Sequence, residues 1–181
     1  MRQSTIVIGA MLAAVISLAP QDEANTAARV PDMGRPAEKA PFPEIKDWDS
    51  LVITLDRTMC FGTCPDYRVE IRGDGSVTYE GRHYVEVSGT QSAKIPVEAV
   101  HALFEKFRGA KFFWSQDEYA AEITDFPTYE ISISFDGGGK SVRDYAGTKA
   151  GMPGVFVELE TAIDETANTA QWIGSGEEPA Q

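Results

Sequence analysis

The sequence predicts an α+β fold: a two-layer sandwich whose mainly antiparallel sheet of about six strands carries two helices on one face. Three observations predict it. Apolar and polar residues alternate over several short runs, the period-two signature of half-buried strands. Two longer runs, each opened by a proline, repeat apolar residues three and four apart, as an amphipathic helix does. The links between strand runs are of hairpin length, which favours antiparallel pairing. The order reads ββββα and then ββα, strands followed by a helix on two occasions, with no sequence repeat behind it. One sheet face is expected to carry both helices and the other to meet solvent or a partner. Strand order is left open.

Leu51, Ile53 and Leu55 alternate with Val52, Thr54 and Asp56 as a first strand. Tyr67, Val69 and Ile71 alternate with Arg68, Glu70 and Arg72 as a second. Gly73-Asp74-Gly75 is a hairpin turn, and Val77 and Tyr79 mark a third strand. A fourth is expected from His83 to Val87 after a kink at Gly81, with a polar turn around Gly89 leading to Ile95. Pro96 opens a helix whose buried face is Val97, Val100, Leu103, Phe104 and Phe107, and Gly109 ends it. Phe112, Phe113, Trp114 and Tyr119 read as packing over the core, or as a stacking surface. Asp125 and Pro127 turn the chain into the clearest strand, where Tyr129, Ile131, Ile133 and Phe135 alternate with Glu130, Ser132 and Ser134. After Gly137-Gly138-Gly139 another strand returns over residues 140–145. Pro153 begins the second helix, with Val155, Phe156, Leu159 and Ile163 buried; Trp172 and Ile173 are expected to dock on the core.

The domain is expected over residues 49–174. Residues 1–19 read as a secretory signal: Arg2 leads, an uncharged and mostly apolar run follows from Ile6 to Leu18, and Ser17-Leu18-Ala19 has the small-x-small form of a cleavage site. The alternative is an uncleaved anchor, and the expected location is the periplasm or the exterior. Residues 20–48 hold Pro20, Pro31, Pro36, Pro41 and Pro43 and no apolar period, and read as a disordered linker whose end, at Phe42, Ile45 and Trp48, begins to dock. Residues 175–181 read as a disordered acidic tail. The net charge of −12 argues against binding nucleic acid or anionic lipid.

The two cysteines of the chain, Cys60 and Cys64, flank Phe61-Gly62-Thr63 and precede Pro65. Gly62 is free to take positive φ, and Pro65 biases Cys64 toward extended backbone. A loop this tight can bring two Cα atoms within disulfide range, and closing so short a ring would stabilise by about 2 kcal/mol. An exported protein would keep such a bridge. A redox pair is the second reading, although its usual spacing is two residues at a helix start. A zinc site needs two further ligands, and His83 and His101 are remote in sequence and not spaced as a pair.

The run Arg57-Thr58-Met59-Cys60-Phe61-Gly62-Thr63-Cys64-Pro65-Asp66-Tyr67, followed by Val69-Glu70-Ile71 and Gly73-Asp74-Gly75, resembles the signature of the bacterial family called domain of unknown function 6438. Asp125-Phe126-Pro127, Asp144-Tyr145 and Trp172-Ile173-Gly174 extend the resemblance over about residues 49–174. It implies an exported protein and brings no assigned activity, so no catalytic residues are carried over.

From this the expected function is a non-catalytic binding or structural module of the cell envelope, acting on an envelope protein, peptide or small ligand as a monomer, with no cofactor, no metal and no nucleic acid. The alternatives are a small hydrolase-like enzyme using Asp66, Asp125 and Asp144, or a thiol–disulfide protein. The residues singled out for a ligand or partner surface are Arg57, Phe61, Asp66, Tyr67, Trp114, Asp125 and Asp144. Two motifs are set aside. Gly139-Lys140-Ser141 lacks the earlier glycine of a phosphate loop, Ser134 standing there, and Arg72-Gly73-Asp74 is explained by its turn.

Overall fold

The computed structural model describes residues 41–174; the expected signal, the linker up to residue 40 and the tail lie outside the described residues. The strands are β1 (Val52–Arg57), β2 (Asp66–Arg72), β3 (Ser76–His83), β4 (Gly89–Lys94), β5 (Glu118–Ala120), β6 (Thr128–Phe135) and β7 (Gly138–Tyr145). The helices are α1 (Val97–Gly109), α2 (Gly154–Ala167) and the short α3 (Ala170–Ile173). The strands form one seven-stranded sheet in the order β4-β3-β2-β1-β6-β7-β5. Every pairing is antiparallel except β5 with β7.

The α+β class holds, and the count is corrected from six strands to seven and from two helices to three. The added strand is β5, three residues within the aromatic stretch, too short to show a period. It pairs in parallel, so no hairpin turn announces it. The expected fourth strand is also corrected. Chain from Ser76 to His83 runs straight through Gly81 as β3, and β4 is the polar run from Gly89 to Lys94. Gly81 is a close approach rather than a kink: a Cβ there would lie 2.2 Å from the Val87 carbonyl oxygen. β4 escapes hydrophobic patterning because an edge strand has a neighbour on one side only and keeps much of its surface wet.

The buried row positions are those the alternation implies. Ile53, Leu55, Val69, Ile71, Val77, Tyr79, Ile131, Ile133 and Val142 face the helices and are 0–1 % exposed. Val100, Leu103, Phe104 and Phe107 of α1 and Phe156, Leu159 and Ile163 of α2 cover them. Val97, expected on the buried face, is 37 % exposed because it stands in the first turn, ahead of the first covered position at Val100. Phe42 is buried edge-on against Phe104, Phe113 and Trp114 at 5.7, 5.0 and 6.1 Å between ring centroids. Trp48 stacks on His101 at 3.8 Å. Trp172 stacks on Tyr79 at 4.9 Å, and the carbonyls of Ile173 and Trp172 accept from the N–H groups of Glu86 and Val87.

The Arg72-Gly73-Asp74 turn is fully occupied by its own contacts. Arg72 pairs with Glu70 at 2.6 Å, and Asp74 accepts from the Ser76 N–H at 2.8 Å and from Lys94 at 3.0 Å. A Cβ at Gly73 would sit 1.7 Å from the Trp48 carbonyl oxygen, which is why a glycine stands there.

Candidate functional site

Strand register assembles the site. On the helix-covered face, Arg57 stands beside Tyr67 on one side and Tyr129 on the other; Tyr129 stands beside Asp144, and Asp144 beside Tyr119. This row closes the sheet at the end where the cysteine loop leaves β1. Above it run Glu160 and Asp164 of α2, four residues apart and so on one side of the helix.

Arg57 Nη2 lies 2.7 Å from Asp164 Oδ2, with the two side chains 12 % and 17 % exposed. The guanidinium carbon stands 4.6 Å from the Tyr129 ring centroid and 5.9 Å from that of Tyr67. Asp164 Oδ1 accepts from the Tyr67 hydroxyl and from the Thr169 hydroxyl, each at 2.8 Å. Burial, and then the Asp164 charge, hold the Tyr67 phenol far above its ordinary range. Tyr67 is therefore a fixed donor.

Deeper in the same row, Asp144 and Glu160 are 2 % and 3 % exposed. Burial, followed by the neighbouring Asp144 charge, pushes the Glu160 carboxyl up to about 8. Burial also raises Asp144, opposed by the Gly147 N–H that its Oδ1 accepts and by a hydrogen bond with Glu160. Glu160 thus keeps its proton at neutral pH and bonds with Asp144, while its Oε1 has no hydrogen-bond partner among the described residues.

Outside this network lies a cleft of about 480 Å³. Cys64 and Pro65 form one wall, Asn168, Thr169 and Ile173 at the α2–α3 corner form the other, and Tyr67, Arg57 and Tyr129 form the floor. The cysteine loop is built to hold its wall in place. Cys60 and Cys64 are joined by a disulfide with Cα atoms 5.5 Å apart. The Thr58 N–H donates to the Thr128 carbonyl at 2.9 Å, and the Thr128 N–H returns to the Thr58 hydroxyl at 3.1 Å. Gly62, free to take positive φ, does not; the chain turns through a bond from its N–H to the Cys60 carbonyl at 2.9 Å.

The residues singled out in sequence are thus spread apart. Arg57 and Tyr67 belong to the cleft. Asp144 lies in the same row, buried. Phe61 is 88 % exposed at the loop tip. Asp66 points to the opposite face of the sheet, where it accepts from Arg82 Nε at 2.6 Å and bonds His83 Nδ1 at 2.8 Å. Trp114 packs by Phe42, and Asp125 is exposed on the β5–β6 connection with φ 75°. Asp66, Asp125 and Asp144 therefore form no common site. The sequence reading missed Tyr129, Glu160, Asp164 and Thr169. One signal was present: Glu160 and Asp164 interrupt a helix run whose other members bury apolar side chains, and buried carboxylates need partners.

Among curated proteins there is no match. The family model described as "Domain of unknown function (DUF6438)" matches residues 51–167, a span that holds the cysteine loop, the sheet, α1 and α2. On that match, the chain belongs to the DUF6438 family.

Proposed function

We propose that this protein is an exported, non-catalytic binding module of the cell envelope and that its ligand occupies the cleft between the cysteine loop and the α2–α3 corner. The observation that carries the reading is the cleft itself, about 480 Å³ with an aromatic floor and a few polar groups locked in place by Asp164. A concave, half-apolar site with orienting polar groups is what small-ligand and peptide recognition requires. Its walls are rigid: one is clasped by a disulfide and the other is tied to the floor through Thr169 and Tyr67. Preorganised walls spare the ordering cost of binding. Export is supported by the apolar run at residues 6–18 and by the disulfide, which persists in an oxidising compartment.

The test is amide-shift mapping on the purified protein against a panel of basic, acidic and neutral peptides and of envelope saccharide fragments. Saturable shifts at Asn168, Thr169 and Gly174 with at least one class are expected. A panel that moves none of them removes the reading. Location is tested separately by cell fractionation, with the protein expected outside the cytoplasm.

A further inference from the structure

The charge around this cleft goes further and indicates which class of ligand it takes. Helix α2 ends at the cleft, and the end of a helix dipole is negative there. A cation in that turn is stabilising; the last turn of α2 has no basic residue and carries Asp164 and Glu165 instead. Asp164 is matched by Arg57. Glu165 is exposed, lines the cleft, and makes no ion pair among the described residues.

A second carboxylate stands beside the cleft, next to Gly174. Gly174 lines the cleft, and Glu86 Oε2 comes within 2.8 Å of where a Cβ on Gly174 would be. Glu86 is exposed and likewise has no ion pair among the described residues. The lining also holds the apolar Pro65, Ala170 and Ile173 together with Tyr129. The cleft therefore combines apolar side chains with two nearby carboxylates that make no ion pair among the described residues, on a chain whose net charge is −12.

We infer that the cleft binds a basic, amphipathic peptide segment, its Lys or Arg side chains reaching Glu165 and Glu86 and an aliphatic or aromatic side chain lying on Pro65 and Ile173. The inference rests on the cleft being the binding site. A cation at Glu165 relieves an unfavourable charge at a helix C-terminus, so the ligand gains from a cost the free protein already carries. Long Lys and Arg stems lie along apolar surface while their heads meet carboxylates, which suits this layout. An acidic segment would meet repulsion from both carboxylates.

Three capped heptapeptides test it by calorimetry and amide-shift mapping: Lys alternating with Leu, Glu alternating with Leu, and Lys alternating with Ser. The Lys/Leu peptide is expected to bind at the cleft at least about tenfold more tightly than either of the others, and to weaken as salt rises past the screening range. Glu165→Gln with Glu86→Gln is expected to weaken it about three- to tenfold while leaving the circular dichroism and melting temperature within error. Equal or tighter binding by Glu/Leu overturns the inference, as do equal binding by Lys/Ser and an unchanged affinity in the double variant. Binding of a neutral or acidic ligand at Asn168 and Thr169 would overturn the inference and leave the cleft standing as the site. Silence from every ligand would remove both.

Discussion

Arg57 at the end of β1 and Asp164 in the last turn of α2 meet at 2.7 Å beneath the cleft, and Asp164 accepts from Tyr67 and Thr169 as well. One carboxylate thereby joins the central strand, its neighbour, a helix and the helix corner. Removing Arg57 takes the guanidinium from that nearly buried charge. Arg57→Met is expected to destabilise by about 2–4 kcal/mol, and Asp164→Asn by a similar amount. A double-mutant cycle in urea should return a coupling of about 1–3 kcal/mol. Additive effects would show that the pair is not a unit.

Glu160 gives a pH dependence of defined sign. Its carboxyl is held at about 8 in the folded protein against an ordinary value near 4.5, so the folded state keeps the proton that the unfolded chain releases. Its contribution is complete below about pH 4.5, declines as pH rises toward 8, and is absent above it. Urea midpoints should fall across that window, and Glu160→Gln should flatten the slope and be the more stable form at pH 8. A variant with the wild-type slope would place the dependence elsewhere.

The disulfide makes a local contribution. Replacing Cys60 and Cys64 by Ser should lower stability by about 1–3 kcal/mol and broaden the Cys64–Pro65 wall of the cleft. Intact mass of the isolated protein should fall two hydrogens below the reduced form. Free thiols in that sample would contradict the bridge.

Two glycines should respond very unequally. At Gly62 a Cβ meets only Cys60 Sγ, at 3.6 Å, and φ is not positive, so Gly62→Ala should change stability by less than about 1 kcal/mol. At Gly73 the Trp48 carbonyl must move, and Gly73→Ala should cost about 2 kcal/mol or more. Thermal melts of the two variants check this directly.

How far the sequence could be read follows from what each element needed. β1, β2 and β6 carry their own period and were legible residue by residue; the two long helices were legible in extent, though Val97 and Val155, expected buried, are exposed and half-buried, and the buried Glu160 was not foreseen. β4 and β5 lie at the sheet edges, where burial is too incomplete or the strand too short to print a pattern. The docking of Phe42 was legible, but its partners were not, because the apolar surface that captures it comes from α1 and the aromatic turn far downstream. The cleft was half legible. Arg57 and Tyr67 belong to a dense local motif, but Tyr129 and Asp144 join them only through register, and Asp164 only through the placement of α2 over the sheet. Strand order had to be known first.

That order also decides whether the chain is two units or one. Strands followed by a helix recur in it, as though a smaller piece had been doubled and could be split again. Yet β1, from the first group, is zipped along its full length to β6, from the second, with Val52 to Arg57 each facing a β6 residue. The boundary between the halves is thus the middle of the sheet, and a fragment ending after α1 would carry Ile53 and Leu55 on a bare, sticky margin. Neither half is a portable part; grafting or dissecting this body has to begin outside β1 and finish beyond α2.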